Sequence, residues 1–253
     1  MKFRTALATA LGVIFACLIL QPATAGQTNV AVAANFTDAA KEIAGLFKAK
    51  TGHEALLSFG STGQLYTQIT QQAPFEVFLS ADEARPKKAI EDGFATPDSL
   101  FTYAIGKLVL WSKNPDLVKG PETLSSGAFT KLAYCNPVGA PYGSATVETL
   151  KALSLYEKLQ PKLVQGENIM QAFQFVDTGN AELGFVALSE VAKTSVGSRW
   201  IVPQKLYTPI RQDAVLLKKG ATNDAATAFM AFLKGREARA IIVKYGYDID
   251  TKR

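Results

Sequence analysis

The sequence of 253 residues predicts an α/β fold of two lobes, each a mostly parallel sheet flanked by helices. The first observation is a repeated order of short apolar strand, small polar turn and helical pattern in both halves of the chain, which is typical of parallel sheets covered by helices. The second is an unusually long apolar run, residues 101–111, which contains Gly106 and suits a chain crossing between lobes. The third is a strand at residues 211–217 that would return to the first half. Two crossing strands would therefore join the lobes.

Three strands begin the first lobe, at residues 29–34, 54–59 and 75–79. Apolar runs of this length suit buried parallel strands. The first strand leads through 35–38, whose polar side chains are expected to cap a helix that ends at Gly52. The apolar positions of that helix are Ala39, Ile43, Leu46 and Phe47. The second strand leads through a glycine turn into a helix that ends near residues 73–74. The third leads into a helix at 83–92 that Asp82 is expected to cap.

The second lobe repeats this order. Strands are predicted at residues 132–134, 163–164 and 183–187, and a helical pattern follows each one. Residues 203–209 contain two prolines and form a connector to the returning strand. A C-terminal helix, with apolar positions at Ala225, Phe229, Phe232 and Leu233, closes the chain. The sequence contains no heptads, low-complexity tracts or short-period repeats.

The N-terminal residues have the pattern of a cleaved signal peptide. Lys2 and Arg4 precede an apolar core at 6–20, and an A-x-A motif ends at Ala25. Cleavage is therefore expected after Ala25. Cys17 leaves a lipoprotein as an alternative, but the apolar residues after it favour soluble export to the periplasm.

The predicted organisation has four segments. Residues 1–25 form the signal peptide, 26–105 the first part of lobe I, 106–209 lobe II, and 210–253 the return to lobe I. Hinges are expected at 103–106 and 207–211, where the chain crosses between the lobes.

Composition excludes several classes of function. The formal net charge is +5, but the basic residues are scattered, whereas nucleic-acid-binding proteins cluster them. The single histidine, His53, follows the helix stop at Gly52, so we expect neither a Ser-His-Asp triad nor a metal site there. Cys135 suits a small buried side chain. No pair of carboxylates is placed for acid–base chemistry. An enzyme is therefore not expected.

Four helix starts share one chemical character. They lie at residues 35–37, 61–63, 142–144 and 167–169, two in each lobe, and each follows a strand. Ligands of open α/β sheets bind beyond the carboxyl ends of the strands, so these turns should meet at one cleft. Helix N-termini present N–H donors and a positive dipole to anions. Residues 31–40, 58–84, 132–150 and 163–192 contain no Lys or Arg. The pattern predicts an anion site built from neutral donors.

A cavity that contains only donors selects by protonation state. Sulfate, molybdate and tungstate carry no proton at pH 7, whereas phosphate usually retains one and requires an acceptor. Asp82 and Glu167 are acidic residues near the turns, and both suit helix starts. These residues alone leave the identity of the oxyanion open.

Seven motifs resemble the molybdate-binding proteins of bacterial ABC transporters. They are AANF at 33–36, SFGSTGQL at 58–65, APFEVFLSAD at 73–82, FTYAIGKLV at 101–109, APYG at 140–143, QPKLVQGEN at 160–168 and GNAELGFVA at 179–187. Together they span almost the whole chain after the signal peptide. The resemblance implies a type II periplasmic-binding-protein-like fold that closes on molybdate or tungstate. It implies no cofactor, a monomer, and delivery of the ion to a membrane permease with a cytoplasmic ATPase.

The resemblance also implies a set of ligand-binding residues. The predicted direct contacts are Asn35, Thr62, Tyr142 and Ile169, and the predicted supporting residues are Ala34, Ser61, Ala81, Asn168 and Ala187. Backbone N–H groups of Ala81, Tyr142 and Ile169 are expected to complete the shell. Some relatives have a ligand-binding tyrosine where this chain has Ala187, so the Tyr142 hydroxyl is the expected substitute.

Two other functions remain as alternatives. One is a receptor for sulfate or another small oxyanion, which the same neutral cavity would suit. The other is an exported hydrolase that uses Ser61 or Thr62.

Overall fold

The computed structural model describes residues 25–250. The signal-peptide prediction, with Lys2, Arg4 and Cys17, lies outside the described residues. Within residues 25–250, no helix has the length and apolar character needed to cross a bilayer. The chain forms two five-stranded sheets, both flanked by helices.

The first sheet contains the strands that begin and end the first lobe. They are β1 Gln27–Ala33, β2 Glu54–Gly60, β3 Val77–Leu79, β4 Phe101–Gly106 and β10 Ile210–Leu216, in the order β2-β1-β3-β10-β4. The first three strands are parallel, whereas β10 runs antiparallel to both of its neighbours. The carboxyl ends of β1, β2 and β3 therefore lie at one edge of the sheet.

Five helices cover this sheet. They are α1 Thr37–Thr51, α2 Thr62–Thr70, α3 Ala84–Glu91, α9 Asp224–Lys234 and α10 Arg236–Lys244. The predicted stop of α1 is confirmed, because Gly52 takes the left-handed conformation (φ 77°) at its C-terminus. The rings of Phe47 and Phe229 meet edge to face, 5.3 Å apart, between α1 and α9. The C-terminal helices thereby fix α1 against the sheet.

The second sheet is formed by the middle of the chain. Its strands are β5 Leu108–Ser112, β6 Leu132–Cys135, β7 Leu163–Gly166, β8 Leu183–Ala187 and β9 Ser198–Ile201, in the order β7-β6-β8-β5-β9. The accompanying helices are α4 Glu122–Ser126, α5 Pro141–Ala152, α6 Tyr156–Leu159, α7 Ile169–Asp177 and α8 Leu188–Val191. The strands β6, β7 and β8 are parallel, so their carboxyl ends also share one edge. The predicted two-lobed α/β fold is confirmed.

The long apolar run at 101–111 is two strands rather than one. β4 pairs with β10 in the first sheet, and β5 pairs with β8 in the second, so the chain changes sheets at Lys107. Gly106 lies opposite Ile210, the first residue of the returning strand. The two crossings therefore lie side by side.

Other sequence predictions differ from the structure in detail. A short 3-10 helix, Ala34–Phe36, precedes α1, and neither segment has a side-chain cap. The capping role expected of residues 35–38 is therefore wrong, because the tight turn replaces it. The strand β9 and the helix α10 were not predicted, since neither follows a clear apolar run.

Three single-residue interpretations agree with the structure. The Asp82 carboxylate accepts the N–H of Arg85 in the first turn of α3, at 2.9 Å. His53 Nδ1 accepts the Gly26 N–H at 2.9 Å and stacks on Phe47, which is a structural role. Cys135 is fully buried, and burial raises the pKa of its thiol.

Candidate functional site

A small cavity lies between the lobes, at the carboxyl ends of strands from both sheets. The space in it that is open to a water-sized sphere is about 10 Å³, far below the range of about 300–1,000 Å³ typical of pockets for organic ligands. None of the residues that line it carries a charged side chain. They are Ala33, Ala34, Asn35, Gly60, Ser61, Thr62, Ala81, Ala140, Pro141, Tyr142, Asn168 and Ile169. The cavity can therefore hold one small ion, and its walls offer only neutral groups.

The turn between β2 and α2 contributes two hydroxyl groups. Ser61 is the N-cap of α2: its Oγ accepts the Gln64 N–H, and the Gln64 side chain accepts the Ser61 N–H, both at 3.3 Å. Thr62 Oγ1 accepts the N–H of Ala81 at 3.0 Å. Each hydroxyl oxygen thus already accepts a protein hydrogen, so its own hydrogen remains to be donated. Thr62 also presents its N–H, which as the first of the helix has no acceptor within α2.

The second lobe contributes the starts of α5 and α7. Pro141, which has no N–H, is the first residue of α5, so the Tyr142 N–H is the first donor of that helix. Asn168 caps α7 by accepting the Gln171 N–H at 3.1 Å. The Ile169 N–H follows the cap and has no acceptor within its own helix. Both helices direct the positive end of their dipole towards the cavity.

A buried cluster of polar side chains lies behind the cavity and spans the lobes. The side-chain amide of Asn35 donates to Gln212 Oε1 at 2.9 Å and to the Tyr247 hydroxyl at 3.0 Å. Both of its hydrogens are thereby used, so the group Asn35 can still offer the cavity is its backbone N–H. Ser189, from the second lobe, donates to the Asn35 carbonyl at 2.8 Å. The position of Asn35 therefore depends on residues far away in the sequence.

The Tyr142 hydroxyl belongs to the same cluster. Gln212 Nε2 donates to it at 3.3 Å, and its own hydrogen has no acceptor in the hydrogen bonds of residues 25–250. The hydroxyl also passes so close to Gly106 that an added Cβ would overlap it, so a glycine is required at the crossing. Burial raises the pKa of Tyr142, and the phenol therefore stays protonated as a donor.

At the rim of the cavity, the first lobe holds a loop of the second. The Gly63 N–H donates to the Gly139 carbonyl at 2.9 Å, and Arg85 Nη2 donates to the Val138 carbonyl at 2.7 Å. Arg85 also pairs with Asp82. A Cβ on Gly63 would lie 3.1 Å from Gly139 Cα, which is closer than a side chain normally allows. These bonds join the lobes without lining the cavity.

The structure brings together most of the residues predicted for the site. Asn35, Thr62, Tyr142, Ile169, Ala34, Ser61, Ala81 and Asn168 line the cavity. The contact expected from the Ala81 N–H is wrong, because this group donates to Thr62 Oγ1 instead. The Ala187 N–H likewise donates within the protein, to Glu190 Oε2 at 3.0 Å. Ala187 is fully buried and does not line the cavity.

Sequence reasoning missed four residues that shape the site. Gln212, Tyr247, Ser189 and Arg85 were not predicted to contribute. A buried glutamine within an apolar strand was the one available signal, since such a group must find hydrogen-bond partners. No local sequence pattern indicated Tyr247, Ser189 or Arg85.

Comparisons with known proteins address the family to which the chain belongs. A family model described as bacterial extracellular solute-binding protein matches residues 28–248. The molybdate-binding protein ModA of Rhodobacter capsulatus is 55% identical over 240 residues, which cover 95% of this chain and 94% of that protein. The identity and coverage are high enough to show the family, and the resemblance inferred from the motifs is confirmed.

Solved structures show the same fold. The periplasmic molybdate-binding protein of Azotobacter vinelandii matches with a TM-score of 0.86 and 42% identity, over 88% of this chain and 100% of that chain. The sulfate-binding protein SubI of Mycobacterium tuberculosis matches with a TM-score of 0.71 at 11% identity, over 88% of this chain and 86% of that chain. The second likeness concerns the fold alone.

A buried carboxyl group, that of Glu190, lies at the start of α8. Its Oε1 is buried and has no hydrogen-bond partner in the described part of the chain. Burial raises the pKa of Glu190 to about 8, and the charge of Asp38 adds to this effect, while the Ala187 N–H opposes it. Glu190 is therefore mostly protonated in the folded protein at neutral pH.

Glu190 makes a testable contribution to the pH dependence of stability. The folded protein keeps a proton on Glu190 between the ordinary pKa of 4.5 and about 8, whereas the unfolded chain releases it. The free energy of unfolding should therefore fall as pH rises through this range. Glu190→Gln, which mimics the neutral acid, should flatten the decline in urea unfolding at pH 5.5, 7.0 and 8.5. Exposed Glu157→Gln serves as the control. Equal slopes for the wild type and Glu190→Gln would contradict a buried neutral acid.

Proposed function

The chain belongs to the bacterial extracellular solute-binding proteins, and on that premise we propose that it captures molybdate, and also tungstate, between its lobes. The observation that supports this proposal most directly is the uncharged cavity, where helix starts and hydroxyl groups from both lobes meet. The name of its relative from Rhodobacter capsulatus, a molybdate-binding protein, supports this choice of ion.

Neutral donors are energetically sufficient for such an ion. A hydrogen bond to a charged acceptor contributes about 1.5–3 kcal/mol net, so six or seven could outweigh the cost of stripping the hydration shell. A buried Lys or Arg would instead have to lose its own water, at a cost of several kcal/mol. N–H and O–H dipoles avoid that cost, and the fold fixes the distances between them.

The proposed contacts follow from the free donors. Thr62 would donate through its N–H and its hydroxyl, Tyr142 through its N–H and its hydroxyl, and Ile169 through its N–H. Asn35 would donate through its backbone N–H, because its side-chain amide is already bonded. Ser61 has a further free hydroxyl hydrogen. Ala34, Ala81, Asn168 and Ala187 would support the shell without direct side-chain contacts.

The alternatives are less well supported. A hydrolase would need a base beside Ser61 or Thr62, but their hydroxyl groups bond to backbone N–H groups. The single histidine bonds to Gly26 at the start of β1, at the opposite end of that strand from the cavity. A sulfate receptor would share the neutral cavity and differ in donor spacing, so direct binding measurements must separate the two ions.

The transport role follows from family membership. We propose that the chain is exported with cleavage after Ala25, acts in the periplasm as a monomer, and delivers its ion to a membrane permease with a cytoplasmic ATPase. Residues 26–105 and 210–253 would form lobe I, and 106–209 lobe II. No cofactor is needed for this activity.

Isothermal titration calorimetry tests the function directly. The protein from Gly26 onward should bind molybdate and tungstate at one site per chain, and bind sulfate and phosphate much more weakly. Bound ligand should also raise the melting temperature in proportion to ln(1 + [L]/Kd). Tight binding of sulfate together with indifference to molybdate would refute the proposal.

Thr62→Val tests the site. The substitution removes a hydroxyl donor and places a methyl group against the ion, so molybdate binding should weaken by about 1–3 kcal/mol. Thr70→Val is the matched control, because Thr70 is exposed on the same helix and its hydroxyl bonds to the Thr67 carbonyl. If Thr62→Val left the dissociation constant unchanged, the ion would bind elsewhere.

Arg85→Ala tests the contribution of the rim to closure. Loss of the bond to the Val138 carbonyl should raise the dissociation rate of molybdate about three- to tenfold, since a partly exposed charged hydrogen bond contributes modestly. The association rate should change little. Stopped-flow tryptophan fluorescence measures both rates, and Lys87→Ala, on the same helix, is the control. The ligand-induced drop in radius of gyration by small-angle scattering should also shrink. A dissociation rate equal to that of the wild type would exclude this role.

A further inference from the structure

Gln212 occupies an unusual position in the returning strand. It is fully buried in β10, and the register of β10 against β4 shifts between Gln212 and Asp213. Such a bulge redirects side chains locally. Asp213 accepts the Thr102 hydroxyl at 2.7 Å, while Gln212 extends to the boundary between the lobes and reaches Tyr142. The amide of Gln212 is thus brought to a position where it contacts Asn35, Tyr103 and Tyr142.

The orientation of the Gln212 amide follows from the hydrogens available around it. The Tyr247 hydroxyl lies 2.7 Å from the Asn35 carbonyl and 3.0 Å from Ser189 Oγ, and its single hydrogen is directed to these two acceptors. Its oxygen must then receive the Asn35 amide, 3.0 Å away, through Nδ2. Since the same Nδ2 also contacts Gln212 at 2.9 Å, that contact must be Oε1. Nε2 of Gln212 therefore faces the Tyr142 hydroxyl.

A second contact bears on the same amide. The Tyr103 hydroxyl lies 3.0 Å from Gln212 Oε1 and 3.0 Å from the Ser80 carbonyl, and it shares one hydrogen between these two oxygens. The Tyr103 hydroxyl therefore helps to fix Gln212 Oε1 in place, but this hydrogen bond does not involve Tyr142. Its removal should loosen the cluster without reversing the amide, because Asn35 still specifies the orientation.

We propose that Gln212 is a specificity-determining residue that makes Tyr142 a hydrogen-bond donor to the bound oxyanion and thereby excludes oxyanions that keep a proton. This inference rests on the proposed function of the same cavity. Because Gln212 donates to the phenol oxygen, the hydroxyl presents its hydrogen, rather than its lone pair, to the ion. An unprotonated oxyanion accepts that hydrogen, whereas the O–H of hydrogen phosphate or hydrogen arsenate would meet another donor.

The other hydroxyl groups at the cavity are also left to act as hydrogen-bond donors. Ser61 and Thr62 each accept a backbone N–H, from Gln64 and Ala81 respectively. Those two orientations are set by backbone atoms, which no side-chain substitution removes. The orientation of Tyr142 alone is set by a side chain, so Gln212 is the position at which the selectivity of the cavity can be changed.

The experiment compares molybdate with arsenate by calorimetry at pH 7.0, where every arsenate ion carries at least one proton. Gln212→Met keeps the length of the side chain but removes the donor to Tyr142. The ratio of the arsenate to the molybdate dissociation constant should fall at least tenfold in this variant. Tyr103→Phe should weaken binding of both ions alike and leave the ratio as in the wild type. Melting temperatures of both variants check that they are folded.

A double-mutant comparison separates a role through Tyr142 from a general loss of structure. If Gln212 acts through the hydroxyl, Gln212→Met should not change the ratio further in a Tyr142→Phe background. An unchanged ratio in Gln212→Met, or an equal change in Tyr103→Phe, would overturn the inference. If the wild type bound no molybdate, the proposed function itself would fail, and that result is distinct from either outcome.

Discussion

The convergence of unpaired N–H groups on one cavity is the constraint on which the rest of the structure depends. A helix leaves its first N–H groups without partners, and a buried cavity cannot supply water to all of them. The protein places the starts of α2, α5 and α7 around one small space instead. In the proposed function, an ion of the right size would satisfy these groups together, and the two sheets hold the helix starts around that space.

Much of this arrangement could be predicted from the sequence. Short apolar strands followed by Gly, Ser or Asn indicate strand–turn–helix units, and the rule that ligands bind beyond the carboxyl ends of strands brings Thr62, Tyr142 and Ile169 together without coordinates. The buried cluster could not be predicted in this way. Asn35 contacts Gln212 and Tyr247 at separations of 177 and 212 residues, and a single polar residue in a strand carries no periodic signal. Tyr247 also follows a helix that the apolar pattern did not indicate.

Ala187 illustrates a different limit of prediction from sequence. Its N–H is bonded by Glu190, three residues further on, which is the local spacing of a helix N-cap and its third residue. The sequence therefore contained the signal that Ala187 belongs to a helix start with its own partner. The position of Ala81 required the fold, since its N–H donates to Thr62, 19 residues earlier in the chain. Local spacing reveals bonds within a turn, whereas bonds between turns depend on how the sheet aligns them.

The lobe-to-lobe contacts must be strong enough to hold an occupied cavity and weak enough to leave an empty one open. Every bond that does not involve the ion, such as Gly63 to Gly139 or Ser189 to Asn35, favours closure whether or not an ion is present. An ion can shift this equilibrium only through its own differential contacts with the closed state. If the lobe-to-lobe bonds were more numerous, the empty protein would close and exclude its ligand. The ion pairs that join the lobes, Lys107 with Asp248 and Lys193 with Glu42, involve partly exposed side chains, and exposed ion pairs contribute little.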